Sequence, residues 1–142
     1  MLNITTKMTS IVTYQGNLRT SCVHLDSKSE ILTDAPKDNH GKGEIFSPTD
    51  LVATALASCM ITVMAIKAAS KHIPFENVMA EVKKNMSSSP RSISKIEVTF
   101  TIKDSWLPGD KSLLEQTALT CPVAKSLNDA LAVEVHFNYA EE

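Results

Sequence analysis

The pattern of apolar and polar positions divides the chain into nine stretches. The longest apolar run extends from Leu51 to Ala69 and is interrupted only by Thr54, Ser58, Thr62 and Lys67. The three hydroxyl residues recur every fourth position, so on a helix they form one thin strip. The other faces are apolar, as in a helix surrounded by neighbours. Ser47 suits the N-cap, Pro48 the first helical position and Asp50 the capping-box position. Lys67, Lys71 and Pro74 mark the far end. The run approaches the ~20 residues of a membrane span. However, it is Ala-rich, carries the hydroxyl strip and is the single such segment, so a core helix is expected.

The flanking segments read as strands and shorter helices. Residues 9–14 are β-branched and aromatic, Gln15-Gly16-Asn17 reads as a turn, and residues 19–25 alternate. Residues 30–33 add a short third strand to this N-terminal meander. The polar stretch 34–47 reads as a loop, of the length that often carries function. Residues 78–86 and 93–103 alternate and predict an antiparallel hairpin, with Ile96, Val98, Phe100 and Ile102 inward. Pro108-Gly109-Asp110 opens a helix bearing Leu113, Leu114 and Ala118. A second helix begins at Cys121-Pro122 and carries Val123, Leu127 and Ala130. Residues 132–139 close the chain as a strand. This order predicts an α+β fold with antiparallel sheets around a long central helix, in a single domain spanning 1–142. That helix has more apolar faces than one small sheet covers, which predicts an intimate homodimer.

Composition narrows the function classes. A formal charge of −2 over 142 residues, with scattered Lys and Arg, gives no reason to expect a nucleic acid or membrane partner. Met1 to Lys7 lacks the apolar core of a secretory signal. Three widely spaced cysteines fit free or redox-active thiols in a reducing, cytoplasmic setting. No CxxC, HxxxH or HExxH spacing occurs, so neither a metal nor a cofactor is expected.

The candidate chemistry lies in the cysteines. Free cysteines are mostly buried and inert, and Cys59 on its apolar helix fits that description. Cys121 precedes Pro122, which makes it the N-cap of the next helix, where the dipole and local N–H groups lower a thiol pKa.

Ser47-Pro48-Thr49-Asp50-Leu51-Val52-Ala53-Thr54-Ala55-Leu56-Ala57-Ser58-Cys59, followed by Cys121-Pro122-Val123, resembles the OsmC/Ohr family. The resemblance extends over nearly the whole chain, including Arg19 after a Gly turn and the Asp34-Ala35-Pro36 loop. It implies an intertwined homodimer with sheets wrapped around two central helices. It also implies a thiol-dependent peroxidase that reduces organic hydroperoxides. By position, Cys59 would attack the peroxide and become a sulfenic acid, and Cys121 would resolve it to a disulfide. Arg19 would stabilise the Cys59 thiolate, since burial alone raises a thiol pKa. A dithiol reductant, typically a lipoyl group, would close the cycle. The chain departs from the family at one point. The position after the proline, usually a glutamate that holds the arginine, is Thr49, with Asp50 next to it. This departure marks a divergent subgroup, and Thr49 and Asp50 are supporting site positions. The competing reading is a non-enzymatic OsmC-like protein that binds a hydrophobic ligand at the dimer interface or senses redox state.

Overall fold

The computed structural model describes residues 7–140; the reading of the first residues as lacking a signal core lies mostly outside them. Two compact units meet in the chain at Leu51/Val52.

The N-terminal unit is a three-stranded antiparallel meander of β1 (Ser10–Gly16), β2 (Arg19–His24) and β3 (Glu30–Asp34). The first turn falls at Asn17-Leu18, slightly later than the sequence suggests. Both residues have positive φ (54° and 63°), as a two-residue hairpin turn matched to strand twist requires. The register aligns Val12, Cys22 and Ile31 across the three strands. After β3 the chain makes one 3₁₀ turn, Lys37–Asn39. The Gly43 N–H then bonds back to Ala35 O (3.1 Å), and the Asp34 N–H bonds to Phe46 O (3.1 Å). Gly41 is needed for this return, because a Cβ there would collide with the Ala35 carbonyl. The polar stretch is thus a closed loop with bonded ends, and it delivers Glu44 beside Asp34.

Helix α1 (Pro48–Ser70) begins on a reciprocal cap. The Asp50 N–H donates to Ser47 Oγ and the Ser47 N–H to the Asp50 carboxylate, both at 3.0 Å, a capping box that satisfies two end donors. It ends where His72 adopts positive φ and the Ile73 N–H bonds to Ala68 O, close to where Lys67, Lys71 and Pro74 place it. By length and composition this helix could cross a membrane. In the fold, its Leu56, Met60, Met64 and Ala68 are buried in a protein core.

That core belongs to the C-terminal unit. Strands β4 (Val78–Ser88) and β5 (Arg91–Ile102) form the expected antiparallel hairpin. Ile96, Val98, Phe100 and Ile102 are fully buried on the face that joins the α1 side chains. Leu114 and Ala118 of α2 (Pro108–Leu119) complete the cluster, together with Cys121. Trp106, uninformative in sequence, is buried. Its indole N–H donates to Pro74 O, and its ring stacks on Phe75 at 5.8 Å. Asp104 accepts the backbone N–H groups of Glu76 and Asn77 (3.0 and 2.9 Å), which fixes the entry to β4.

Two expectations are corrected. The last strand, β6 (Ala132–Tyr139), pairs with β5 in parallel, so this sheet is mixed rather than antiparallel. Residues 103–131, with their two helices, form a crossover long enough to return the chain to the starting end of β5, and a parallel neighbour requires such a crossover. Helix α3 is also shorter than predicted, covering Pro122–Ser126 only. Asn128 ends the run by accepting the Ala130 N–H on its own side chain (2.8 Å), a local bond that competes with continued helix.

Candidate functional site

The two site cysteines stand on different elements of one unit. Cys59 lies midway along α1, half-buried on the flank between the buried stripe and an exposed strip that includes Ser58 and Thr62. Cys121 is the N-cap of α3, with Pro122 in the first helical position, and its Sγ accepts the Ala124 N–H at 3.4 Å. Cys121 is 1 % exposed. Both thiols are free, and Cys59 is among the groups that push the Cys121 pKa up.

The electrostatics of Cys121 differ from the sequence expectation. Burial pushes its thiol pKa up, the Ala124 N–H pulls it part of the way back, and contact with Cys59 raises it again. A five-residue helix has too little dipole to outweigh the loss of water around a thiolate. Cys121 is therefore a protonated thiol at neutral pH.

Arg19 lies in the N-terminal unit, between two carboxylates of that unit. Its partner in the β2–β3 register is Asp34. The guanidinium grips this carboxylate side-on, Nε to Oδ1 at 2.7 Å and Nη2 to Oδ2 at 2.8 Å. Nη2 also donates to Glu44 at 3.1 Å, and Asp34 accepts the Glu44 N–H at 3.2 Å. The Asp34 side chain is 2 % exposed and that of Glu44 61 %. The Arg19 hydrogen bond holds the Asp34 carboxyl below the usual carboxylate range despite its burial, and both carboxylates push the Arg19 pKa upward. Sequence reasoning missed Asp34 and Glu44. Asp34 was read as the first loop residue, and the strand register that places it opposite Arg19 is seen only in the structure.

Thr49 and Asp50 stand at the start of α1. Thr49 Oγ1 lies 3.1 Å from Ser47 Oγ, and the Asp50 carboxylate closes the capping box. Beside them is an open hollow of about 400 Å³ lined by Gly43, Glu44, Ile45, Phe46 and Asp50. A hollow of about 480 Å³ at the β4–β5 turn is lined by Ser87, Ser92, Ser94 and Leu127, among others. It offers hydroxyls but no thiol or charged group, so the chemistry does not lie there.

Residues 41–136 match the family model described as OsmC-like protein. The chain belongs to the OsmC-like family. This match takes in Thr49, Asp50, Cys59 and Cys121 but stops short of Arg19. A solved structure from Psychrobacter arcticus 273-4, provisionally described as an osmotic stress induced and detoxification response protein, is 46% identical. It aligns over 98% of this chain and 100% of its own, with a TM-score of 0.87. An OsmC-like protein from Mycoplasma pneumoniae shares the fold at 16% identity (TM-score 0.76, 97% and 99% covered). So does an organic hydroperoxide resistance protein OsmC from Legionella pneumophila at 17% identity (TM-score 0.70, 94% and 97% covered). No curated protein matched. This OsmC-like chain therefore has the family's α+β architecture.

Proposed function

We propose that this OsmC-like protein is a thiol-dependent peroxidase that reduces organic hydroperoxides. The observation that carries the reading is that a partly buried Cys59 and a fully buried Cys121, both free, belong to one side-chain cluster, with Cys59 among the groups that raise the Cys121 pKa. Their environments support a division of roles. Cys59 is the thiol a peroxide can reach, and its thiolate attacks the peroxide's outer oxygen. The O–O bond breaks, the alcohol leaves with a proton, and Cys59 becomes a sulfenic acid. Cys121, protonated and within reach, then displaces water from that sulfur to form the disulfide. Arg19 is the group that would stabilise the Cys59 thiolate, and Thr49 and Asp50 cap the helix that carries it. A dithiol, such as a lipoyl group, returns both cysteines to the thiol state. The apolar surroundings of Cys59 on α1 suit an alkyl tail better than hydrogen peroxide.

The working form in this reading is a homodimer in the cytoplasm. Val12, Tyr14 and Ile31 of the N-terminal sheet and, separately, Ile66 of α1 are all at least half exposed, large apolar side chains of the kind that association covers. Light scattering on the purified protein is expected to give twice the chain mass of 15.5 kDa; a monomer at micromolar concentration would contradict it.

The function is tested by giving the reduced protein one equivalent of cumene hydroperoxide and counting free thiols while mapping disulfides by peptide mass spectrometry. Rapid loss of two thiols with a Cys59–Cys121 link is expected. If both thiols persist while a control peroxidase turns over, the reading fails. Binding of a hydrophobic ligand at the dimer interface then becomes the better account.

A further inference from the structure

We propose that Asp34 is the positioning residue for Arg19, and that Glu44 is a second, exposed partner that draws on the same charge. Asp34 then does what a carboxylate at position 49, here Thr49, would do. The proposal rests on the reading of Arg19 as the partner of the Cys59 thiolate.

The geometry distinguishes the two acids. Asp34 sits across the strand pair from Arg19 and occupies the Nε/Nη2 edge of the guanidinium with two parallel bonds. Such a fork fixes direction as well as distance. Asp34 is itself held, because its carboxylate accepts the Glu44 N–H and its own N–H is bonded to Phe46 O. With that edge occupied, the Nη1 amino group is left without a hydrogen-bond partner among the described residues. It is the donor edge that the two carboxylates leave open. Glu44 adds one bond to Nη2 from a largely exposed side chain. It contributes little to orientation, but its negative charge still opposes the one Arg19 would offer a thiolate. A screened, mobile carboxylate has a smaller effect than a buried, bidentate one. The helix start is occupied differently: Asp50 takes the Ser47 N–H and Thr49 bonds Ser47. Arg19 is therefore oriented from the β3 end of the loop, before the helix begins.

Removing the two acids should produce opposite effects. The first readout is the rate of Cys59 alkylation by iodoacetamide at neutral pH, in full-length protein carrying Cys22→Ser and Cys121→Ser. The second is cumene hydroperoxide consumption with all cysteines present. Arg19→Ala is expected to slow alkylation about tenfold or more. Asp34→Asn should do the same and slow consumption about tenfold. Arg19→Lys keeps the charge but cannot make the side-on fork, and should behave like Arg19→Ala. Glu44→Gln should speed both alkylation and consumption about twofold, as loss of a screened opposing charge would. The proposal is overturned if Asp34→Asn changes the alkylation rate in the same direction as Glu44→Gln, because Asp34 would then only drain charge. It is also overturned if Arg19→Lys matches wild type, and that variant decides alone if Asp34→Asn fails to give a native melting curve. If Arg19→Ala changes neither readout, the clamp has no role and the cysteine cycle stands without it. The alkylation series needs no turnover, so it reads the clamp even if wild type consumes no peroxide.

Discussion

Cys59→Ser should reduce peroxide consumption by at least about a thousandfold, because a hydroxyl is not ionised near neutral pH and attacks peroxide oxygen far more slowly than a thiolate. Replacing the other cysteine should give a different failure. Cys121 is buried and its thiol pKa is pushed up, so it takes no part in the first step. Cys121→Ser should therefore consume one equivalent of hydroperoxide at close to the native rate and then stop. The sulfenic acid on Cys59 would accumulate, trappable with dimedone, and further peroxide would carry it to the sulfinic acid. Stopped-flow measurement of the first turnover with mass spectrometry of the Cys59 peptide separates the two variants. If Cys121→Ser lost the first turnover as well, the assignment of attack to Cys59 and resolution to Cys121 would be wrong.

The contrast follows from the packing around each sulfur. Cys121 belongs to the cluster of Met60, Met64, Leu114 and Phe100, where a thiolate would be poorly solvated. Cys59 is at the margin of that cluster, one position past the exposed Ser58. A short helix start can present one N–H to a sulfur, as Ala124 does to Cys121, yet desolvation outweighs it. Burial alone can keep one of the two thiols dormant.

Much of this was legible in the residues. Ser47, Pro48 and Asp50 mark the start of α1 because capping chemistry is local. Ile96, Val98, Phe100 and Ile102 mark the buried face of β5 because alternation reports burial directly. The direction of β6 was not legible, since Val133, Val135 and Phe137 alternate identically in parallel or antiparallel pairing; the crossover decides it. Arg19 was placed by its family position, but its partners were not. Asp34 looked like the first residue of a loop, and only strand register, which no local pattern encodes, sets it opposite Arg19. Glu44 arrives through the closure of the loop at Gly41 and Gly43. The end of α3 was misjudged because Val123, Leu127 and Ala130 keep helical spacing, while the Asn128 side chain offers the backbone a better local bond.

Phe100→Ala should destabilise the protein by about 3–5 kcal/mol, the usual cost of emptying an aromatic site in a core that cannot collapse fully. Phe100 is fully buried and lies parallel to Phe137 with ring centroids 5.0 Å apart. Its register partners are Ala80 on β4 and Phe137 on β6. Ala80 is too small to fill the space, and β6 is a strand at the margin of its sheet, so the loss should be near the upper end of that range. For a chain of this size it corresponds to a melting-temperature drop of about 10–15 °C, measured at fixed protein concentration because association would shift the midpoint. Phe100→Leu, which retains most of the volume, should cost less than about 1.5 kcal/mol. The same void adjoins the cluster that contains Cys121, so local opening should become more frequent. Iodoacetamide should then label Cys121 faster in folded Phe100→Ala than in wild type, while Cys59 labelling changes little. A loss below about 1 kcal/mol, or unchanged Cys121 labelling, would show that β6 and its stacked ring do not keep the resolving thiol sealed.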